Sequence, residues 1–572
     1  MRMDRSALLL AVIALPLALL AACLWPAARR AMPWLLPVAP LPGIAAALLG
    51  VGAAPLRLGA GHWAPVLMLD LGGALLLGTA ALLWALAALY ARRYMAGNAD
   101  LGRFCVCWLM TLTGCLGAFV AADMVSLYLL LGLLSVGACG LVIHDQTPRA
   151  WRGGGMYLAL ALFGESCALM GFVLLAAAAP DGSLLIRDAV AALPGSPARD
   201  LTLACLIVGL GLKAGLVPLH MWMPLAHAAA PVPASAVLSG AVVKVGIIGL
   251  MRFLPLDAAM PDWGEALAAV GLFTALYGVA VGITQQHPKA VLAYSSVSQM
   301  GVIVAVLGMG WAAGDAGAAL SAAFYASHHV LVKGTLFLAV GLVAATASPR
   351  RLWPLLALTA VLGLGLGGLP LTGGALAKYA VKGPLGDGLA GTLGKVSAAG
   401  TTLLVLHFMH RLRDFASKER PQAGLAGRPP GGYERSGGAT FAHDPGETAP
   451  AGLWWPWLAL AAASLVVPWA LYLSVPGGTV GDLLAPKALW AALLPMLAGA
   501  AAALLLWRFG AGLPRIPEGD LVRLIDVAVA RCKSAGPALV HANGLLLQWP
   551  VAGVLLLAAV LAFGLSLFGW PR

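Results

Sequence analysis

The chain has 572 residues, of which 61% are hydrophobic and 10% are charged, and its mean hydropathy is +0.91. Because a soluble domain carries about 25% charged residues, this composition excludes a water-soluble fold. The formal net charge of +12 does not indicate nucleic-acid binding, because Lys and Arg in the short loops of a membrane protein set its orientation.

Apolar runs of about 20 residues, each long enough to cross a hydrocarbon core of about 30 Å, recur along the chain. Backbone groups that face lipid must be hydrogen-bonded within a helix. The sequence therefore predicts an all-α polytopic membrane protein with about sixteen transmembrane helices. The runs are 6–24, 33–53, 66–90, 104–121, 124–143, 155–178, 200–219, 234–254, 263–284, 291–311, 316–344, 352–370, 389–410, 453–473, 487–507 and 550–569.

The first run allows a second interpretation. Arg2 and Arg5 precede an apolar run that ends LAAC at Cys23, a pattern that also occurs in signal peptides with a lipidated cysteine. Another apolar run begins almost at once, so a first transmembrane helix is the preferred interpretation.

Composition divides the chain into four segments. Residues 1–121 hold the N-terminal transmembrane helices, and residues 122–415 form a central helical core. Residues 416–452 are rich in Gly, Pro and charge, which predicts an extramembrane polar loop. Residues 453–572 hold the C-terminal transmembrane helices, with a short interfacial helix predicted between 515 and 548.

Basic residues concentrate in alternate loops, which predicts the orientation of the chain. The positive-inside rule makes these loops cytoplasmic, so we expect a multi-pass protein of the cell inner membrane. The basic residues on this side are Arg29, Arg30, Arg92, Arg93, Arg103, Arg149, Arg152, Lys289, Arg350, Arg351, Arg411, Arg413 and Lys418.

Several ionisable residues lie inside the predicted spans: Glu165, Lys213, Lys244, His328, His329 and Lys333. A charge near the bilayer centre costs from about 2.5 to over 10 kcal/mol, so such residues are interpreted as functional or paired. A series of Lys, Glu and His on successive helices is what lateral proton transfer requires, because buried groups of this kind can release and regain protons near neutral pH. Near the thirteenth run, Lys378, Lys382 and Lys395 are explained as well by snorkelling to the interface.

Four prolines follow Lys213, at Pro218, Pro224, Pro231 and Pro233. They cannot all lie in one unbroken helix, so the chain is expected to bend or unwind there. Broken helices in membranes line polar cavities, where freed backbone groups hold water or ions. A hydrated path beside Lys213 is therefore predicted, with a packing kink as the alternative.

The sequence indicates no cofactor, metal or catalytic centre. Most of the eight cysteines lie inside apolar runs, and there are no paired CxxC motifs or nucleotide-binding fingerprints. Any redox chemistry would therefore belong to partner subunits.

Four segments of the chain resemble a known family: GLGLKAGLVPLHMWMPLAHAAAPVPASAVLSGAVVKVG (209–246), QQHPKAVLAYSSVSQMG (285–301), HHVLVKGTLFLAVG (328–341) and GLPLTGGALAKY (368–379). With LMLDLGGALLL (67–77), they resemble the antiporter-like membrane subunits of respiratory complex I, energy-converting hydrogenases and Mrp-type cation/proton antiporters. The resemblance covers roughly residues 66–415.

The resemblance implies two inverted five-helix repeats, each containing a broken helix and together forming a proton path through the central core. Lys213 matches the lysine of the broken seventh helix, and Lys244 matches the connecting lysine of the eighth. His329 and Lys333 match the His-x-x-x-Lys of the eleventh helix, and Lys395 is the candidate for the terminal charged residue.

The chain departs from the family pattern at two positions. The family's fifth-helix glutamate, which pairs with the seventh-helix lysine, aligns with Gly132, and the first eleventh-helix histidine is replaced by Tyr325. Our hypothesis is that Glu165 supplies the missing carboxylate to Lys213 and that His328 substitutes for the lost histidine.

Three functions remain open on these residues. The first is a non-redox, proton-conducting subunit of a redox-driven complex, with other membrane and peripheral subunits as partners. The second is a subunit of an Mrp-type Na⁺(K⁺)/H⁺ antiporter, or of a complex that couples ion flow to inorganic-carbon uptake. The third is a scaffold that has lost conduction, for which Gly132 is the motivating feature.

Overall fold

The computed structural model describes residues 5–61, 63–346, 348–419, 451–474, 481, 485–510 and 514–522. These residues are mostly helical, as expected for a chain whose apolar runs must satisfy their own backbone groups. The helices are α1 (Arg5–Ala22), α2 (Pro26–Leu35), α3 (Leu41–Leu49), α4 (Leu71–Tyr94), α5 (Leu101–Val120), α6 (Met124–Val142), α7 (Pro148–Ala178), α8 (Ile186–Ala192), α9 (Arg199–Ala214), α10 (Trp222–Ala229), α11 (Val232–Val237), α12 (Val243–Phe253), α13 (Pro261–Gly282), α14 (Pro288–Ala313), α15 (Gly317–Ala344), α16 (Pro349–Gly367), α17 (Gly373–Ala380), α18 (Lys382–Leu385), α19 (Leu389–Glu419), α20 (Ala451–Tyr472) and α21 (Pro486–Phe509).

A short antiparallel ribbon precedes α4, and the sequence analysis did not predict it. Strand β1 (Leu56–Arg57) pairs with strand β2 (Val66–Leu67), with Leu56 opposite Leu67. The run that was predicted to begin at residue 66 therefore starts as a strand. The helix begins after Asp70, whose carboxylate accepts a hydrogen bond from the backbone N–H of Gly73.

Thirteen spans among the described residues are long and apolar enough to cross a membrane. The all-α polytopic fold class is confirmed, but the count of sixteen helices is not. The run 33–53 contains only the last three residues of the 10-residue α2 and the whole of the 9-residue α3, because a turn with Pro37 and Pro40 separates the two helices. At about 1.5 Å per residue, neither helix alone crosses a core of about 30 Å.

Two other predicted apolar runs are not among the thirteen candidate membrane spans of the described residues. Helix α16 has 19 residues but carries Arg350 and Arg351 in its first turn, which shortens its apolar part. The run 550–569 lies outside the described residues, as do most of the predicted interfacial segment 515–548 and most of the predicted loop 416–452. Residues 1–518 form one unit, and of the second unit, 519–572, only residues 519–522 are described.

The core of the first unit lies along α14 and α15, whose apolar windows are buried over their full length. Small residues allow α13 and α14 to approach backbone to backbone. A Cβ added at Gly301 would lie 2.5 Å from the backbone nitrogen of Ala275, and one at Gly271 would lie 2.6 Å from the carbonyl oxygen of Gly301. Glycine is required for this contact, as is common where membrane helices pack closely.

Two consecutive groups of five helices form the inverted repeats. The first contains α5, α6, α7, α9 with α10, and α11 with α12; the second contains α13, α14, α15, α16 with α17, and α19. Because five crossings leave the chain on the opposite side of the membrane, the second repeat begins inverted. The fourth member of each repeat is broken, after Ala214 in the first and after Gly367 in the second.

Candidate functional site

The break in the first repeat follows directly after Lys213. Helix α9 ends at Ala214, and Gly215 has the left-handed φ of +85° that closes the helix. The indole N–H of Trp222, the first residue of α10, donates to the carbonyl oxygen of Leu212 at 3.0 Å. Lys213 therefore lies in the last turn of α9, directly before the unwound segment that contains Pro218.

The four prolines that follow Lys213 occupy different positions relative to the helices. Pro218 lies in the linker between α9 and α10, and Pro224 lies in the first turn of α10, where a missing N–H is tolerated. Pro231 precedes α11 and Pro233 lies in its first turn. The chain is thus broken twice, before Trp222 and again before Val232.

Three helices bring polar side chains together around Lys213. Its Nζ donates to Oε1 of Glu165 on α7 at 2.7 Å and to Oγ of Ser135 on α6 at 2.5 Å. The Ser135 hydroxyl in turn donates to Glu165 Oε1. The side chains of Lys213 and Glu165 are 6% and 11% exposed, so this ion pair is almost fully withdrawn from solvent.

Gly132 lies three residues before Ser135 on α6, and a Cβ added there would meet no atom within 4 Å. Helix α6 therefore contributes a hydroxyl to Lys213, while the carboxylate comes from the next helix. The structure brings together the pair that the sequence hypothesis named, Glu165 and Lys213.

A second group lies around Lys244, next to a π-helical turn at Leu238–Val242. Lys244 Nζ lies 2.6 Å from Nδ1 of His329 on α15 and donates to the carbonyl oxygen of Ser239 at 2.8 Å. A π-helical turn leaves carbonyl groups outside the regular hydrogen bonds of the α-helix. Such turns are frequent at functional sites. Both Lys244 and His329 are fully buried.

Lys333 follows His329 by one helical turn on α15. Its Nζ donates to the carbonyl oxygen of Leu292 at 2.8 Å and to the hydroxyl of Ser295, both on α14. No acidic side chain contacts Lys244 or Lys333 among the described residues. Neutral oxygens and a histidine ring therefore surround these two lysines, so either could hold or release a proton without separating an ion pair.

Lys289 is a further candidate site residue, which the sequence analysis assigned to a loop and not to the buried series. It lies in the first turn of α14 and is only 3% exposed. Its Nζ donates at 2.6 Å to the carbonyl oxygen of Ala230, which the break between α10 and α11 leaves free. Lys289 follows the polar residues 285–287 and precedes the apolar run 291–311, so the sequence pattern is that of a loop lysine.

The residues just before α14 lie beside this lysine. Burial, together with the positive charges of Arg149 and Lys289, holds the pKa of His287 well below its usual range. The neutral ring accepts the backbone N–H of Lys289 on Nδ1 at 3.2 Å. Nearby, Arg149 forms two hydrogen bonds of 2.8 Å with the carboxylate of Glu518.

The break in the second repeat is occupied by Lys378 and His328. Lys378 Nζ donates to the carbonyl oxygen of Gly367, the last residue of α16. The His328 ring packs on α17, because a Cβ at Gly373 would lie 2.8 Å from its Nδ1 and one at Gly374 would lie 3.1 Å from its Nε2. Neither ring nitrogen of His328 has a hydrogen-bond partner among the described residues.

A cavity of about 480 Å³ adjoins this second break. It extends from Tyr325, whose hydroxyl donates to Gln299 Oε1 at 2.8 Å, to Lys395 on α19. The Gln299 amide donates onward to Thr401 Oγ1 at 2.9 Å. The predicted terminal residue Lys395 lines this cavity but is exposed, whereas Lys378 lines it from a fixed position in the break.

The described side chains therefore form a series of proton-binding groups at the centre of the bundle. Helices α9 and α12 touch next to Lys213, where a Cβ at Gly246 would lie 2.4 Å from the backbone nitrogen of Ala214. The turn before Lys244 packs on α15, where a Cβ at Gly240 would lie 3.1 Å from the carbonyl oxygen of Val330. Groups arranged in this way on adjoining helices can pass protons laterally between the two breaks.

The fold and the buried ionisable groups define the class of the protein: a multi-pass membrane protein that carries proton-binding side chains inside its helical bundle. Comparison with known proteins shows the family. Residues 121–383 match the family described as NADH:quinone oxidoreductase/Mrp antiporter, TM. The N subunit of the NADH-quinone oxidoreductase of Desulforudis audaxviator is 31% identical over 394 residues, a match that covers 64% of this chain and 76% of that protein.

Two further comparisons agree. An Na⁺/H⁺ antiporter subunit of Bacillus subtilis is 32% identical over 289 residues, which is 48% of this chain and 36% of that protein. A chain in the structure of the Mrp complex from Dietzia sp. DQ12-45-1b shares the fold with a TM-score of 0.64 and 22% identity, covering 88% of this chain and 100% of that one.

The chain belongs to the family of antiporter-like membrane subunits of NADH:quinone oxidoreductase and Mrp antiporters. The predicted resemblance and the predicted location in the cell membrane are confirmed. The match spans only 30% to 43% of the length of the first five curated relatives.

Proposed function

We propose that the chain conducts protons across the membrane as a non-redox subunit of a redox-driven complex, such as a complex I-like NADH-quinone oxidoreductase or an energy-converting hydrogenase. The observation that carries this proposal is the series of ionisable groups that runs from the buried Glu165 and Lys213 through the buried Lys244 and His329 to the half-buried Lys378. Placing this many ionisable groups in the bundle is costly, and a purely structural role does not require it.

Each pair has a distinct part in the proposed path. Glu165 stabilises the proton on Lys213, and a change in that pair alters the charge next to Lys244. Lys244 passes its proton to His329 across the 2.6 Å contact between Nζ and Nδ1. The positive charges of Lys244, Lys333 and His329 repel one another, so a proton that enters at one end favours release of another at the opposite end.

Lys378 is the terminal group of the path in this proposal, and Lys395 belongs to the wall of the exit cavity. The observation in favour of Lys378 is its fixed position in the break of the second repeat, next to the unpaired ring of His328. Lys395 is exposed, and an exposed lysine binds and releases protons without any coupling to the interior.

The extent of the match to one N subunit supports the redox-driven complex. The match covers 76% of the N subunit from D. audaxviator but only 36% of the antiporter protein from B. subtilis. The chain therefore matches most of that N subunit and a smaller part of that antiporter protein.

A second candidate is a subunit of an Mrp-type Na⁺(K⁺)/H⁺ antiporter, and the fold likeness to the whole of an Mrp complex chain favours it. The third candidate, a non-conducting scaffold, rests on Gly132. It is weakened by the position of Glu165, which meets Lys213 in place of the absent fifth-helix carboxylate.

The experiment is to purify the tagged full-length chain in mild detergent and to identify the co-purifying chains by mass spectrometry. Hydrogenase-like or quinone-reductase-like subunits support the proposal. If only small membrane subunits co-purify, and proton flux in vesicles of the intact complex requires Na⁺ or K⁺ on the opposite side, the antiporter function replaces it. Absence of any proton flux from a complex that retains its other activity would establish the scaffold.

A further inference from the structure

A second cavity lies apart from the buried series, where the ends of α19 and α21 approach the start of α16. Its volume is about 840 Å³. We call it the basic groove and define it by Arg411, Arg413 and Arg515 with Trp353 and Trp507, all of which line it. The buried proton-binding groups of the two repeats do not line it, and the proposed path makes no use of it.

The charge of the groove is uniformly positive. No acidic side chain lines it among the residues that the structure describes. Arg411 is partly neutralised by Asp414, which lies outside the lining at 3.4 Å from Nη1, but Arg411 Nε is buried without a partner in the described part of the chain. The Arg413 guanidinium lies 5.6 Å from the ring centroid of Trp353.

The walls of the groove are apolar where they continue into the membrane. Leu356 and Ala360 of α16, Leu406 of α19 and Leu506 of α21 line it. These residues belong to helices that cross or enter the hydrocarbon core. The groove therefore combines a cationic rim with an apolar wall, and its volume falls within the range of about 300–1,000 Å³ of ordinary ligand sites.

The orientation of the chain identifies the side of the membrane. Arg411 and Arg413 lie among the basic residues that the positive-inside rule assigns to the cytoplasm. Trp353 and Trp507 are 60% and 48% exposed, as expected for aromatic side chains at a membrane–water interface. Basic pockets between transmembrane helices on the cytoplasmic side bind the head groups of anionic lipids.

We propose that the basic groove binds an anionic phospholipid of the cytoplasmic leaflet. Its phosphate is held by Arg411, Arg413 and Arg515, and its acyl chains lie along the leucines of the three helices. Arginine is suited to this role because its planar guanidinium donates two parallel hydrogen bonds to phosphate oxygens. The occupant joins the start of α16 to the ends of α19 and α21, so it stabilises the packing of these three helices at the end of the bundle opposite the exit cavity.

The test is native mass spectrometry of the full-length protein, purified in mild detergent and titrated with phosphatidylglycerol or with phosphatidylcholine of the same chain length. The wild-type protein is expected to retain phosphatidylglycerol and not phosphatidylcholine. Arg413→Gln and Arg515→Gln, both at exposed positions that tolerate the change, are each expected to weaken retention about fivefold. Arg350→Gln, an exposed cytoplasmic arginine outside the groove, serves as the matched control and is expected to bind like wild type.

Two outcomes would overturn the proposal. The first is equal retention of phosphatidylglycerol by wild type and by the Arg413→Gln/Arg515→Gln double variant. The second is displacement of bound phosphatidylglycerol by inorganic phosphate at the same ionic strength, which would make the groove a site for free anions. Because binding is measured directly and not through proton flux, failure here leaves the proposed conduction untouched.

Discussion

Lys213 Nζ lies 2.7 Å from Glu165 Oε1, and the two residues belong to neighbouring helices of the first repeat. The relationship matters because the preceding helix, α6, has Gly132 at the position where the family resemblance predicts a glutamate. The carboxylate that pairs with Lys213 lies on α7, one helix after α6. Ser135 on α6 completes the arrangement by hydrogen-bonding both partners.

Replacement of Glu165 by Gln removes the charge and keeps the shape. A hydrogen bond to a charged group is worth about 1.5–3 kcal/mol, and about 1.4 kcal/mol changes an equilibrium tenfold. We therefore expect Glu165→Gln to reduce proton flux at least tenfold in vesicles that hold the intact complex. Glu265→Gln, at an exposed acid on α13, is the control and is expected to conduct normally. Normal proton flux in Glu165→Gln would show that Glu165 takes no part in the proton path.

Gly132→Glu tests whether a carboxylate on α6 can replace the carboxylate of Glu165. The position has open space around an added Cβ and lies one turn from Ser135. In the Glu165→Gln background, Gly132→Glu is expected to restore a substantial part of the flux, whereas Gly132→Gln is not. If the glutamate and the glutamine behave alike in a stably produced protein, charge next to Lys213 is not what the site requires.

Lys378 and Lys395 differ in burial, and this difference predicts unequal effects. Lys378 is held at the second break by the carbonyl oxygen of Gly367, and Lys395 is exposed on the wall of the same cavity. Lys378→Met is expected to reduce proton flux at least tenfold, since it removes a proton-binding group that no neighbour replaces. Lys395→Met is expected to stay within about twofold of wild type. A larger loss of proton flux in Lys395→Met than in Lys378→Met would show that Lys395 is the terminal group of the path.

The close contact of α13 and α14 predicts a loss of stability without a charge change. Gly301→Leu places side-chain atoms where the backbone of Ala275 lies, and overpacking of this kind costs about 1–3 kcal/mol. Thermal unfolding in detergent should therefore occur at a lower temperature than in wild type. Gly155→Leu is the matched control, because a Cβ there meets no atom within 4 Å. Equal melting temperatures for both variants would show that α13 and α14 are not in close backbone contact at Gly301.

Much of the fold was predictable because a bilayer leaves few choices. An apolar run of about 20 residues must be a helix, so length and composition are sufficient to place most spans. The prediction was wrong at 33–53, where Pro37 and Pro40 lie in the turn that separates α2 from α3. Hydropathy counts proline as a mildly polar residue and does not register the missing backbone N–H.

The site was predictable only where a charge stood inside an apolar run. Glu165, Lys213, Lys244 and Lys333 met that condition and lie buried in the bundle. Lys289 did not, because its position beside a polar loop gives the same sequence signal as a solvated lysine. Ser135 carried no signal at all, since a hydroxyl in an apolar helix usually bonds to its own backbone.

The choice between Lys378 and Lys395 could not be made from spacing. Both lie near the thirteenth run, and the distinction depends on the break after Gly367, which frees the carbonyl group that holds Lys378. The segment GLPLTGGALAKY contains the glycines at which the His328 ring packs. That contact joins residues far apart in the chain, so no local pattern reports it.

The central claim is that buried lysines carry protons and do not merely place positive charge. Lys244→Arg tests this most directly, because arginine keeps the charge and does not deprotonate in proteins. The measurement is proton flux in vesicles of the intact complex, with Lys244→Met as a variant of similar length and with detergent melting temperatures to confirm folding. The account predicts that Lys244→Arg loses flux as fully as Lys244→Met. Retention of normal flux by a folded Lys244→Arg protein would contradict it.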